Sequence, residues 1–283
     1  MTEPPQTPRI FPTAREEARI AAVPTHVPQT EDPAYALAFQ DKEFLLRADL
    51  RPVRFQLELL KAELLLAEAG IDSTFVFYGS ARIPSPAEVP ALLAAATTPE
   101  ARAIAERLAA KAPYYDVAYE LAKLVSAPGP SGARPFTVCS GGGPSIMEAA
   151  NRGAYDSDAP SIGLNIVLPH EQVPNPYVTP GLSFQFHYFA LRKMHFLLRA
   201  KAVAVFPGGF GTFDELFELL TLVQTGKVMP LPILLYGGEF WDRVVNFEAL
   251  VEEGTIARAD LDLFHRVETA QAGWEIVRRF YAL

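Results

Sequence analysis

The sequence predicts an α/β fold: a doubly wound, mostly parallel sheet in a Rossmann-like three-layer sandwich, with an N-terminal helical extension. Three observations carry this. From about residue 70 onward, short apolar runs alternate with amphipathic stretches of helical period. The apolar runs are continuous rather than alternating, as expected of strands covered on both faces. Three of them end in small-residue loops, "YGSAR", "CSGGGPS" and "PGGFGT", which are turns of the strand-to-helix kind.

Taken in order, residues 1–34 are dense in proline and read as a surface-draped arm rather than a compact element. Residues 35–283 read as one nucleotide-binding domain that opens with a helical segment, 35–72. Within it, "RFQLELLKAELLLAEAG" (Arg54 to Gly70) has helical period and a glycine stop. "STFVFYGSAR" is a buried strand running into a Gly-Ser turn. Residues 84–112 form an Ala-rich helical insertion, and "YYDVAYELAKLVSAPG" is an amphipathic helix closed by Pro-Gly. "FTVCSGGG" is strand then loop, and "PSIMEAANRGAYDS" is a helix with Pro144 at its first position. "SIGLNI" and "LSFQFHY" are strands, "FALRKMHFLLRA" a helix, and "AVAVFPGG" a strand. "TFDELFELLTLVQTGK" is a helix, "LPILLYGG" a strand, and "EFWDRVVNFEALVEEG" a single helix. A last strand near "DLFHRVE" and a helix, "TAQAGWEIVRRFY", close the series.

Composition narrows the partners. The chain has 283 residues, 49% hydrophobic and 20% charged, with a net charge of -8. That acidity argues against nucleic acid or an anionic membrane as the main partner, while leaving room for one locally positive pocket. A single cysteine, Cys139, excludes an internal disulfide and a Cys-based zinc site, and its place at a strand end reads as core. His170, His187 and His195 lack the spacing of metal ligands. No apolar run approaches the roughly 20 residues of a membrane span. The first residues hold Pro and Glu where a signal peptide needs a basic then an apolar stretch, so a cytoplasmic location is expected.

The glycine loops carry the chemistry. In open α/β sheets ligands bind beyond the carboxyl ends of the strands, so all three loops are expected on one rim. Two feed helix N-termini, where free N–H groups and the helix dipole favour an anion, and a phosphate between "GGGPS" and "GGFGT" is the economical reading. Neither loop is a Walker A sequence, and Asp214 occupies the last glycine position that a dinucleotide fingerprint would need in "GFGTFD". A mononucleotide or sugar phosphate fits better than NAD. Thr212-Phe213-Asp214-Glu215 has T-x-x-E spacing, which reads either as a capping box or as a carboxylate aimed at the ligand's sugar. Asp214 is expected to face solvent or to serve the helix dipole. Arg192, His195 and Arg199 fall on one helical stripe, which reads as a solvated basic face unless the helix start reaches the rim.

Together these residues resemble the LOG (Lonely Guy) family of nucleoside-monophosphate phosphoribohydrolases, in particular its longer bacterial members. "PGGFGTFDE" matches the family's P-G-G-x-G-T-x-x-E, with the Arg192-Lys193 pair about one helix and one strand upstream. "FYGSAR" and "GGGPSIMEAANRGA" add to the likeness, and Ser145 departs from it where many members have glycine. The resemblance implies hydrolysis of the N-glycosidic bond of AMP or an N6-substituted AMP to free base and ribose 5-phosphate. It implies a homodimer with no metal or organic cofactor. It assigns Arg192 and Glu215 as the catalytic pair. Pro207, Gly208, Gly209, Gly211, Thr212, Gly142 and Gly143 would hold phosphate, with Lys193 beside them, and Gly79, Ser80 and Arg82 would lie near the nucleotide. Family members often carry the label lysine decarboxylase, but the sequence offers neither a Schiff-base lysine nor a partner for a pyridine nitrogen. The alternatives are a nucleotide sensor or carrier with little turnover and, behind it, a dinucleotide-dependent oxidoreductase.

Overall fold

The computed structural model describes residues 11–22, 26–129, 132–169 and 173–283. The chain divides into two compact units, Met1–Leu57 and Glu58–Leu283. In the first, helix α1 (Ala14–Ala21) forms inside the stretch that proline density marks as an arm. Its cause is local: the Thr13 hydroxyl accepts from the Glu16 N–H at 3.2 Å, and the Glu16 carboxylate accepts from the Thr13 N–H at 2.7 Å. Such a capping box satisfies two otherwise orphaned N–H groups and stabilises the helix start by about 1 kcal/mol. Short helices α2 (Pro28–Glu31) and α3 (Lys42–Leu46) follow, then α4 (Arg51–Glu68), whose residues from Glu58 on belong to the second unit.

The second unit is built on seven strands. They are β1 (Thr74–Tyr78), β2 (Thr137–Ser140), β3 (Ser161–Ile166), β4 (Ser183–Phe186), β5 (Ala200–Val205), β6 (Ile233–Tyr236) and β7 (His265–Val267). Every pairing is parallel, and the order is β4-β3-β2-β1-β5-β6-β7. The α/β, doubly wound expectation is met. Between the strands run α5 (Val89–Ala95), α6 (Pro99–Ala109), α7 (Pro113–Ser126), α8 (Ile146–Tyr155), α9 (Phe189–Leu198) and α10 (Phe210–Gln224). Then come α11 (Gly238–Val244), α12 (Phe247–Glu252) and α13 (Ala270–Tyr281). None of the described helices is long and apolar enough to cross a membrane.

Period-two alternation splits the central strands between two layers. Phe75 and Phe77 of β1 join Val138, Ala204 and Tyr236 in a buried cluster with α7, α8 and α13. Tyr78 faces the other way and meets Phe196 of α9 edge-on at 5.1 Å. Each such fully buried aromatic contributes on the order of 1.5–3 kcal/mol through apolar burial. The chain steps outward from β1 to β4, then returns to the other side of β1 with β5. The switch in direction therefore falls between β1 and β5, the place where such sheets leave a crevice.

Three helix boundaries differ from the sequence reading. The "EFWDRVVNFEALVEEG" stretch breaks into α11 and α12, because Val245 is extended and the Asn246 side chain accepts from the Ala249 N–H to start a new helix. Helix α8 begins at Ile146, so Pro144 lies outside it. Helix α10 begins at Phe210, two residues ahead of Thr212.

Candidate active site

Loops after β1 and β5 border the switch point and are stitched together by backbone. The Phe206 N–H donates to Tyr78 O at 2.8 Å, and the Ser80 N–H to Pro207 O at 3.1 Å. Gly79 lies where a Cβ would come within 2.7 Å of Ile146 Cγ2, so its lack of a side chain lets α8 start close to β1. The Ser80 hydroxyl accepts from the Arg82 N–H at 3.0 Å, and Arg82 itself is exposed.

Both helices leaving the rim start without a side-chain cap. At α10 the N-cap is Gly209, and Thr212 is buried with its side chain packed onto Gly208. The Thr212–Glu215 capping box is thus not formed. Backbone flexibility at Gly208-Gly209 lets the helix start earlier, which turns Thr212 inward and carries Glu215 to the second turn. At α8 the N-cap is Ser145, in a positive-φ conformation (φ 65°), and its hydroxyl donates to the Ile83 carbonyl instead of facing a ligand. The first N–H groups of a helix have no intrahelical acceptor, so these two starts present bare donors. Ahead of α9, the Glu58 carboxylate takes the His187 and Tyr188 N–H groups at 3.0 and 2.9 Å. The two rim helices also differ in charge. Helix α8 carries Glu148 in its first turn, and α10 carries no acid there.

The glycine loop after β2 is less bare than its sequence suggests. The Gly142 N–H donates to Ser140 Oγ at 3.0 Å, so it is spent inside the protein. Asn175 braces the outer side: its N–H bonds Gly142 O at 2.8 Å and its Nδ2 bonds Gly143 O at 3.0 Å. Behind it, Asn151 accepts from Asn175 Nδ2 at 2.9 Å and from the Ser140 hydroxyl at 2.7 Å, and donates to Ser161 Oγ at 3.0 Å.

Arg192 and Glu215 meet at the centre of the rim. The guanidinium Nη1 lies 3.1 Å from Glu215 Oε1, with the side chains 11% and 12% exposed. Arg192 Nε donates to Leu164 O at 2.7 Å, and the guanidinium stands 5.0 Å over the Phe196 ring. Burial pushes the Glu215 carboxyl up to about 7, against the opposing pull of Arg192. The basic stripe is not a solvated face. His195 is buried against Phe186, and Arg199 is held by both oxygens of Glu63 at 2.7 and 2.8 Å. Lys193 is paired with Asp214 at 3.0 Å and Glu218 at 3.2 Å, so Asp214 serves an ion pair across two helices. Cys139 is buried, and burial pushes its thiol well above the usual range. His170 lies outside the described residues.

A cavity of about 430 Å³ opens beside this pair, lined by Gly141, Gly143, Met147, Glu148, Asn165 and Arg192 among others. Its size is in the range of small-ligand pockets. Of the pair, Arg192 is part of its lining and Glu215 is not. Residues Pro207 to Thr212 and Lys193 are not part of its lining.

Several known proteins are similar to parts of this chain. A family model described as "Possible lysine decarboxylase" matches residues 147–277, which include Arg192, Lys193 and Glu215. A probable cytokinin riboside 5'-monophosphate phosphoribohydrolase of the LOG type from Oryza sativa subsp. japonica is 27% identical over 57% of this chain and 74% of its own. The chain is thus similar to LOG-type proteins over about half of its length. A pyrimidine/purine nucleotide 5'-monophosphate nucleosidase from Escherichia coli K12 is 32% identical over 38% of this chain, which spans 25% of that longer protein. Among solved structures, the structural-genomics target TM1055 aligns over 73% of the chain and 99% of its own at 20% identity, with a TM-score of 0.47.

The residues that sequence spacing overlooked are those that reach the site from far along the chain. Asn175 is 32 positions from Gly143, and Asn165 sits on the neighbouring strand. Gly142 supplies a test. It has φ +73°, and a Cβ there would lie 2.5 Å from Asn165 Oδ1. Gly142→Ala is expected to cost about 2–4 kcal/mol by adding left-handed strain to overpacking, read as a lower midpoint in thermal melting.

Proposed function

We propose that the chain hydrolyses the N-glycosidic bond of AMP or an N6-substituted AMP, giving free base and ribose 5-phosphate. The observation that carries this is the buried Arg192–Glu215 pair, 3.1 Å apart, at the sheet's switch point between two uncapped helix starts. Helix α10 is the better phosphate site of the two. Its bare N–H groups and Thr212 attract a dianion, whereas Glu148 would repel one at α8. This narrows the phosphate role to Gly208, Gly209, Gly211 and Thr212. Gly142, with its N–H spent on Ser140, shapes the loop.

A phosphate held there directs the ribose towards Glu215. Cleavage of the ribosyl bond builds oxocarbenium character on the sugar, which a nearby carboxylate stabilises while activating water. Arg192, fixed by Leu164 and Glu215, orients the ribose and keeps the carboxylate aimed. Binding energy from the remote phosphate positions the bond to be broken. The LOG and nucleosidase relatives support this reading, and it extends to a cytoplasmic homodimer.

The test is incubation of the protein with AMP and chromatography of the products. Adenine and ribose 5-phosphate in equal amounts are expected. AMP that raises the melting temperature yet stays intact would instead make the protein a nucleotide sensor or carrier.

A further inference from the structure

Glu148 lines the same cavity as Arg192 but has no part in phosphate binding or bond cleavage. Its position is fixed, since the Tyr115 hydroxyl donates to Oε1 at 3.0 Å and Tyr115 is itself buried. Among the described residues nothing engages Oε2. Two amide donors of the cavity, those of Asn175 and Asn165, are by contrast spent inside the protein, and two of the five N–H groups of Arg192 are as well. Arg192 serves Leu164 and Glu215, and Asn175 Nδ2 serves Gly143 and Asn151. Asn165 Nδ2 donates to Phe184 O at 3.1 Å, which turns its carbonyl oxygen towards Gly142. Glu148 is the only carboxylate among the described residues that line the cavity, and its Oε2 is an acceptor left for a ligand. Met147, Ile166 and Leu168 supply apolar wall for the faces of a flat ring.

We propose that Glu148 determines base specificity by accepting a hydrogen bond from an exocyclic N–H of the base. A nucleoside monophosphate with at least one such N–H is cleaved in preference to one that presents an oxygen or a tertiary amine there. This rests on the nucleotide-cleaving reading above and deepens it. A carboxylate accepts and cannot donate, so an oxo group placed against it leaves two acceptors facing each other. The number of N–H donors, not the bulk of the substituent, is what such a site reads.

The experiment measures kcat/KM on AMP, N6-methyl-AMP, IMP and N6,N6-dimethyl-AMP. With wild-type protein the first two are expected together and the last two at least about tenfold lower, the scale for leaving a buried polar group unpaired. Glu148→Gln keeps the shape, still accepts from Tyr115, and can turn its amide to donate to an oxo group. It should close the gap between AMP and IMP by about tenfold, whereas a merely structural lesion would lower all four substrates in parallel. Tyr115→Phe, which releases the carboxylate without removing it, should also weaken the preference and covers the case in which the Gln variant does not fold. Equal rates on AMP and IMP in the wild type, or an unchanged ratio in a folded Glu148→Gln, would overturn the proposal and leave the cleavage reading standing. If none of the four nucleotides is cleaved, both fall.

Discussion

Glu215→Gln is expected to lower kcat/KM for AMP by about 10²- to 10⁴-fold, the range for a positioned acid–base group. Gln preserves the volume and can still accept from Arg192 Nη1, so the rim keeps its shape. What it lacks is the negative charge that an oxocarbenium-like sugar needs at its anomeric carbon. The same carboxyl dictates a pH profile. With its folded value near 7, the ionised form fills in as pH rises through neutrality. Wild-type kcat/KM should climb about tenfold per pH unit below that point and level off above it, and the Gln variant should lack this limb. Stability runs the other way. The folded value lies above the ordinary 4.5, so this group's stabilisation is full below about pH 4.5 and is lost as pH rises through about 7. The melting temperature of the Gln variant should therefore gain on the wild type between pH 5 and pH 8. A variant that keeps most of its activity would remove Glu215 from the chemistry.

The T-x-x-E spacing shows what a sequence can and cannot yield here. It occurs at Thr13–Glu16, Thr97–Glu100 and Thr212–Glu215, and only the first forms a capping box. Proline density around Thr13 hid a helix that two side-chain hydrogen bonds make. At Thr212 two preceding glycines moved the helix start, a tertiary choice set by the packing of Thr212 on Gly208 and invisible in spacing. The sheet was legible because its strands are short, continuous and apolar, and a parallel sheet leaves few ways to bury them. The meeting of Arg192 with Glu215 was legible only through the family's motif, since helical period alone put Arg192 on a basic stripe. In the structure that stripe is dismantled by partners distant in sequence. Glu63 reaches Arg199 from 136 positions away, and Glu215 reaches Arg192 from 23. No local rule predicts such pairings.

Removing one buried amide should loosen the whole glycine loop. Asn151 is fully buried, and its side chain links four groups: Ser140, Asn175, Ser161 and the Ile162 carbonyl. Asn151→Leu nearly keeps the volume but leaves the Ser140 hydroxyl without its acceptor and takes one acceptor from Asn175. Each buried polar group so orphaned costs about 1–3 kcal/mol, and the two coupled losses suggest a total of about 2–4 kcal/mol. For a chain of this size that is roughly 4–8 °C in melting temperature. The functional consequence follows from what the network holds. Ser140 fixes the Gly142 N–H and Asn175 fixes two carbonyls of the loop, so their release lets Gly141 and Gly143 drift from the wall of the cavity. A displacement of about 1 Å there is enough to cost on the order of 10² in rate. Assayed well below its melting point, Asn151→Leu should lose kcat/KM on AMP and IMP in equal proportion, unlike a change at Glu148. Asn151→Asp, which keeps an acceptor for Ser140 and Asn175, should fall between the two. A Leu variant that melts within about 2 °C of the wild type, or about 1 kcal/mol on the same scale, would show that the loop stands without its amide brace.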